Sequence, residues 1–180
     1  MSKLQPILAK LSRARAELLL AADAVGSTQW LEQARAGCWS AGRLAGHLSD
    51  VECAVRGYAD RIIRKTALPV PFFKRLHFPL ALVESRMIKR KVPAMVTEAT
   101  ELADKETMLA ELRSVRERTL AFLKETRHRD LSAYSWRHPF LGRLNFYDWF
   151  AFLSAHEIRH RKQMWEIAQN LRKGVASSRK

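Results

Sequence analysis

Two histidines four residues apart, His156 and His160, carry the strongest chemical signal in the sequence. On an α-helix that spacing puts both imidazoles on one face, about one turn apart, near enough to share one ion. Both fall on an apolar stripe, Trp149, Leu153, His156, His160, Met164, Ile167 and Leu171, so they are expected to point inward. His47 falls on a stripe of its own, with Leu44, Val51, Ala54, Tyr58 and Ile62. Three inward imidazoles from two helices supply three nitrogen ligands and leave positions for water or substrate. That is the pattern of a catalytic metal site rather than a closed structural one. A single core histidine is more often a packing residue; the coincidence of three carries the metal reading. An all-nitrogen set suits Zn, Ni, Cu or Fe alike.

The neighbours of these histidines divide into helpers and bystanders. Gln163 follows His160 by three residues on much the same face, placed to hydrogen-bond a water or a substrate, or else to sit at the rim of the bundle. Asp50, three after His47, could orient an imidazole but reads more readily as a solvated acid. Residues 156–160 also spell HExxH, the zinc-protease pattern in which the glutamate is a general base. The match is weak. Arg159 occupies an intervening position, no later histidine exists, and Glu157 sits one residue off the inward stripe, as a surface carboxylate or one beside a ligand. Tyr58, Trp136, Trp149 and Trp165 could line a pocket, although aromatics at helical spacing are usually core. His77, His128 and His138 fall in loop or terminal positions and receive no ligand role.

Helical periodicity dominates the elements that must position these residues. A first helix spans about 3–23, with Leu4, Leu8, Leu11, Leu18 and Ala22 inward and Arg13, Arg15 and Glu17 largely elsewhere on the wheel. A second starts after Ser40, whose hydroxyl suits an N-cap, and fades near Thr66 before Leu68-Pro69-Val70-Pro71. A middle region, 67–101, is punctuated by prolines and leaves room for a short helix at 79–91. A third long helix spans about 101–126, with Leu102, Leu109, Leu112, Val115, Leu120 and Leu123 as core candidates, and a fourth spans about 145–172. No convincing alternating strands occur. The expected fold is all-α: a four-helix bundle with a long crossover between helices 2 and 3. Residues 1–172 form one domain on this reading, and 173–180 a flexible basic tail.

Composition narrows the function classes. The chain has 180 residues, 47% hydrophobic and 28% charged, enough for one sizeable core. Neither GxGxxG nor GxxxxGK[ST] occurs, which disfavours a phosphate-cradling loop. Cys38 and Cys53 make no CxxC, so thiolate zinc sites and thioredoxin-like chemistry are disfavoured. No apolar run reaches a membrane span, and the basic, helix-patterned N-terminus does not read as a signal peptide, so a cytoplasmic location is expected. The net charge of +14 is concentrated in residues 61–91 and 159–180, with the rest of the chain balanced. Such segments attract an anionic partner or are simply a solvated basic surface. No RRM, zinc-finger or homeodomain signature accompanies them.

Two stretches resemble the DinB/YfiT-like superfamily. Residues 39–52, from Trp39-Ser40 through His47-Leu48 to Glu52, are similar to its second-helix motif. Residues 138–145, then Trp149 and His156 to Gln163, are similar to its HxxxHxxQ signature on the last helix. The resemblance covers nearly the whole chain in order. It implies a four-helix bundle with a long crossover and a divalent metal held by His47, His156 and His160. It also implies frequent homodimers and, among characterised relatives, transferases and isomerases that use low-molecular-weight thiols such as mycothiol or bacillithiol. The expected function is a divalent-metal-dependent enzyme, a thiol-dependent transferase or a hydrolase, acting on a small molecule. Zn or Ni is favoured, with Fe or Mn as alternatives. The competing reading, less favoured, is a nucleic-acid-associated or stress-related binding protein that works through residues 61–91 and 159–180. Its binding would fall steeply with salt.

Overall fold

The computed structural model describes residues 3–66, 83 and 103–177. Four long helices carry the fold: α1 (Leu4–Asp23), α2 (Ala41–Ile63), α3 (Lys105–Glu125) and α4 (Phe146–Ser177). A short 3-10 turn at Ser27–Gln29 follows α1. Most of the crossover, with the helix expected at 79–91, lies outside the described residues, as do Leu102 and His77.

Capping explains where three helices start. The Ser40 hydroxyl accepts from the Arg43 N–H at 3.2 Å at the head of α2, as its sequence position suggests. Asp104 accepts from the Thr107 N–H at 3.0 Å at the head of α3. Asn145 accepts from the Asp148 N–H at 3.0 Å and donates to the Asp148 carboxylate at 2.6 Å, a reciprocal cap for α4. Gly42 opens α2 hard against Trp30. A methyl there would come within 2.9 Å of the Trp30 indole nitrogen, so only glycine lets the two approach. The last helix continues to Ser177, beyond the end near 172 that its periodicity suggests.

The order of the helices follows from their cross-links. In the bundle α1 packs mainly on α4, and α2 mainly on α3; α2 also meets α4, and α1 meets α3. Arg15 contacts Glu157, Arg161 contacts Glu17 and Arg172 donates to the Ala24 carbonyl, so α1 and α4 run parallel. Lys105 reaches the Val25 carbonyl at 2.8 Å, and Arg15 the Leu112 carbonyl, so α1 and α3 run antiparallel. His47 lies against His156, and Leu44 and Leu48 share a core with Met164 and Ile167, so α2 and α4 are antiparallel. Helices α2 and α3 are therefore parallel. Two consecutive parallel helices need a connection that returns the length of the first, about 34 Å for the 23 residues of α2. Residues 64–104 supply it, which is the physical reason for the long crossover. Core residues form two clusters. One includes Leu18, Trp30, Leu44, Leu112 and Met164, and the other Leu11, Val55, Leu123, Trp136 and Phe150.

Two sequence expectations need correction. Residues 126–145 are not simply a loop: β1 (Ser135–His138) pairs antiparallel with β2 (Gly142–Asn145), in the register His138 opposite Gly142. Gly142 closes the three-residue turn at φ +78°, a conformation that side chains other than glycine disfavour. Four-residue strands are too short for alternation to be legible. The inward face of α2 is also rotated from the expected stripe. Leu44, Leu48, Glu52, Val55, Ala59 and Ile63 are buried, whereas Ala54 and Tyr58 are exposed. The polar Glu52 masked the true period.

Candidate metal centre

Each histidine of the site is aimed by a helix whose other face is committed to the core. His47 comes from the first half of α2, and His156 and His160 from the middle of α4. Because α2 and α4 run antiparallel and in contact, the two elements bring the three rings to one point. The His156 Nε2 lies 3.4 Å from the His47 Nε2 and 3.1 Å from the His160 Nε2. The three donor atoms all fall within 4.8 Å of one another. Nitrogens bound to one tetrahedral Zn²⁺ at about 2.05 Å sit about 3.3 Å apart, so the spacing suits a single ion. Ring nitrogens this close need a proton or a cation between them. The residues present therefore fit a divalent cation.

Electrostatics keeps two of the histidines in the form that can bind a cation. Burial pushes the His47 imidazole down to about 4, and the exposed Asp50 carboxylate only partly opposes this. His156 is held well below the ordinary histidine value, chiefly by burial and further by His160, His47 and His138. Both rings are neutral at pH 7 with lone pairs available. Gln163 adds orientation: its Oε1 sits 3.0 Å from the His160 Nδ1. Nδ1 of His160 donates to that oxygen, and Nε2 is the nitrogen that faces His156. The His47 Nδ1 is buried without a hydrogen-bond partner. Trp39 meets the His47 ring edge-on at 5.1 Å, and Phe152 stacks on His156 at 5.3 Å, so aromatic walls fix both rings.

The other candidates sort clearly. Glu157 is neither a surface carboxylate nor one beside a ligand. It is 1% exposed and points away from the histidines into a buried cluster of four charges. There Arg15 contacts Glu157 and donates to Glu52 at 2.7 Å, and Arg116 donates to Glu52 at 2.8 Å and to Glu157 at 2.8 Å. Each arginine also donates to a backbone carbonyl on the other arginine's helix, Arg15 to Leu112 and Arg116 to Leu11. A glutamate paired twice in this way cannot serve as the base of a protease motif, so HExxH is a coincidence of letters. Arg15, expected off the core face, is 4% exposed. Burial opposes the charges of Glu52 and Arg116, but their mutual pairing wins, lowering the Glu52 pKa and raising that of Arg116. Trp136 and Trp149 are buried, whereas Tyr58 and Trp165 are exposed. His128 lines a separate cleft with Lys3 and Tyr147.

His138 is a residue that the sequence reading left out. It ends β1, is 8% exposed, and its ring lies 4.6 Å from Phe152 and 5.0 Å from Trp149. Its one advance signal was its place in the HPFLG turn.

Fold and site together define a four-helix-bundle protein with three histidines converging between antiparallel helices. The chain belongs to the DinB superfamily, whose family model matches residues 10–164. It is 26% identical over 133 residues to the uncharacterised protein YuaE of Bacillus subtilis (strain 168), covering 74% of this chain and 79% of YuaE. Its fold is similar to that of YfiT from Bacillus subtilis, a probable metal-dependent hydrolase with an unusual four-helix bundle topology. The TM-score is 0.60 at 15% identity, covering 95% of this chain and 90% of YfiT. The parallel pairs α1/α4 and α2/α3 give this chain a bundle topology that is not simple up-down.

No helix among the described residues is long and apolar enough to cross a membrane. Most of the basic segment 61–91 lies outside the described residues. In the second basic segment, Arg161 contacts Glu17 and Arg172 donates to the Ala24 carbonyl at 3.2 Å, so both hold α4 on α1.

Proposed function

We propose that the chain is a divalent-metal-dependent enzyme acting on a small molecule, as a hydrolase or as a transferase that uses a low-molecular-weight thiol. The observation that carries this reading is the convergence of the His47, His156 and His160 Nε2 atoms. We favour Zn²⁺ or Ni²⁺ as the ion, with Fe²⁺ or Mn²⁺ as alternatives, although the nitrogen set does not choose among them. A bound divalent ion supplies Lewis acidity, lowering the pKa of a water or thiol that reaches it. The chain supplies the rest. Three imidazoles leave further positions open, Gln163 orients the His160 ring, and Phe152 and Trp39 restrict ring motion. YfiT, described as a probable metal-dependent hydrolase, supports the hydrolase branch. The superfamily resemblance of the histidine motifs supports the thiol branch.

The test is to load the protein with Zn²⁺ or Ni²⁺ and assay two panels by mass spectrometry. One holds activated esters and amides in water; the other holds electrophiles with cysteine-derived thiols. Turnover in either panel that is lost in His156→Ala supports the proposal. Turnover that survives the substitution, or none in a fully loaded protein, overturns it.

A further inference from the structure

The turn between β1 and β2 forces a particular tautomer on His138. Two backbone N–H groups, those of Phe140 and Leu141, donate to its Nδ1, each at 3.1 Å. A nitrogen that accepts cannot carry a proton, so the ring proton sits on Nε2. The intervening Pro139 has no N–H, and Gly142 at φ +78° lets the chain fold back so that both donors reach one atom. An imidazolium, with protons on both nitrogens, would turn the Nδ1 contacts into clashes. The ring is therefore locked neutral with a single fixed donor.

That donor has no assigned use. Among the described residues no acceptor meets the His138 Nε2, although the residue is 8% exposed. That nitrogen is not sealed from solvent, so an incoming acceptor can reach it. The turn occupies the Nδ1 side, which leaves Nε2 as the edge open to a ligand. His138 meets Phe152 edge-on at 4.6 Å, and Phe152 stacks on His156 at an interplanar angle of 27°.

We propose that His138 is a substrate-binding residue whose Nε2–H donates to a carbonyl or carboxylate oxygen of a small molecule engaged at the three-histidine cluster. The ligand class is thus a molecule with an oxygen acceptor beside the atom that meets the cluster. The proposal rests on the metal-site reading given above.

Two substitutions separate the halves of the ring. In His138→Asn the side-chain oxygen stands where Nδ1 stood and still accepts from the turn, but the remote donor is gone. In His138→Gln the terminal amide stands near Nε2 and keeps a donor, while the turn loses its acceptor. Acetate is the probe, titrated into Co²⁺-loaded protein and followed by the visible d–d bands. Acetate binding is expected to weaken about tenfold or more in His138→Asn, the scale of a lost hydrogen bond to a charged group. It should stay closer to wild type in His138→Gln, with Co²⁺ affinity unchanged in both. Normal Co²⁺ binding with unaltered acetate affinity in His138→Asn overturns the inference and leaves the metal site standing. Absence of Co²⁺ binding in the wild type overturns the metal-site reading and this inference with it. In the metal-free protein, nitrogen NMR of the His138 ring should report a protonated Nε2; a protonated Nδ1 also overturns the inference.

Discussion

Two groups of polar side chains converge inside this bundle, and they differ in what they leave unsatisfied. Arg15, Glu52, Arg116 and Glu157, one from each helix, saturate one another: two positive and two negative groups, all under 5% exposed, with spare guanidinium donors placed on backbone carbonyls. His47, His156 and His160 instead bring three ring nitrogens to a common point with no opposite charge among themselves. The two are neighbours, since Glu157 follows His156 along α4 and Glu52 lies little more than a turn beyond His47. A polar cluster that closes on itself fixes which helices meet and in what register. One that stays open is available for chemistry. The closed group is what holds α2 and α4 in the register that lets the open group form.

The comparison breaks most readily at the closed cluster. Replacing one member, as in Glu157→Ala, leaves a buried guanidinium underpaired and should cost about 3–5 kcal/mol. Urea denaturation of the metal-free protein should show the loss. A midpoint equal to wild type would mean that the four charges do not act as a unit. The open cluster should behave in the opposite way. His156→Ala should change metal-free stability little, but should abolish the stabilisation by added Zn²⁺, about 4 kcal/mol at a free concentration a thousandfold above the dissociation constant. Thermal melts with and without metal read both effects.

Acid should weaken the open cluster first. The folded-state values of His47 and His138, about 4, lie below the ordinary 6.5, so the unfolded chain binds more protons between those limits. The stability that comes from burying these rings neutral is complete above pH 6.5 and falls as pH drops toward 4. Metal affinity of the folded protein should hold to lower pH and fall only as pH nears 4, where protons begin to compete for the His47 nitrogen. Melting temperatures across pH 4–7.5 check the sign; a flat profile would contradict the burial of neutral rings. Gln163→Ala should weaken metal binding by about 10–100-fold while leaving the fold intact, the usual consequence of losing a ligand's orienting partner. A competition titration with a chromophoric chelator would measure it. The smallest expected effect is at the hairpin, where Gly142→Ala should cost about 1 kcal/mol for its positive φ, read as a shift in urea midpoint.

The open cluster was legible in the sequence and the closed one was not. His156 and His160 sit at helical spacing on an apolar stripe, and His47 falls on a stripe with Leu44 and Val51, so periodicity turned all three inward even though the rest of that α2 stripe was rotated. The same rule hid Arg15, Glu52, Arg116 and Glu157. A charged residue on a helix reads as solvated, and only the partner that arrives from another helix makes it a core residue. That omission also rotated the expected face of α2, because Glu52 occupies a true inward position. The long crossover was legible from the proline-rich stretch after Thr66. The parallel pairing of α2 and α3 that requires it is a tertiary fact without a local signature. The β1/β2 hairpin was missed because four residues give too few alternations. With it went His138, whose environment exists only once the turn has closed.

The most direct test of the central claim is metal content by plasma mass spectrometry. The protein should be tag-free, purified without chelator or nickel resin, with His47→Ala and His156→Ala prepared in parallel. The account predicts one divalent ion bound per wild-type chain and its loss in both variants. A folded wild-type protein that stays metal-free after incubation with Zn²⁺, Ni²⁺, Fe²⁺ and Mn²⁺ would contradict it.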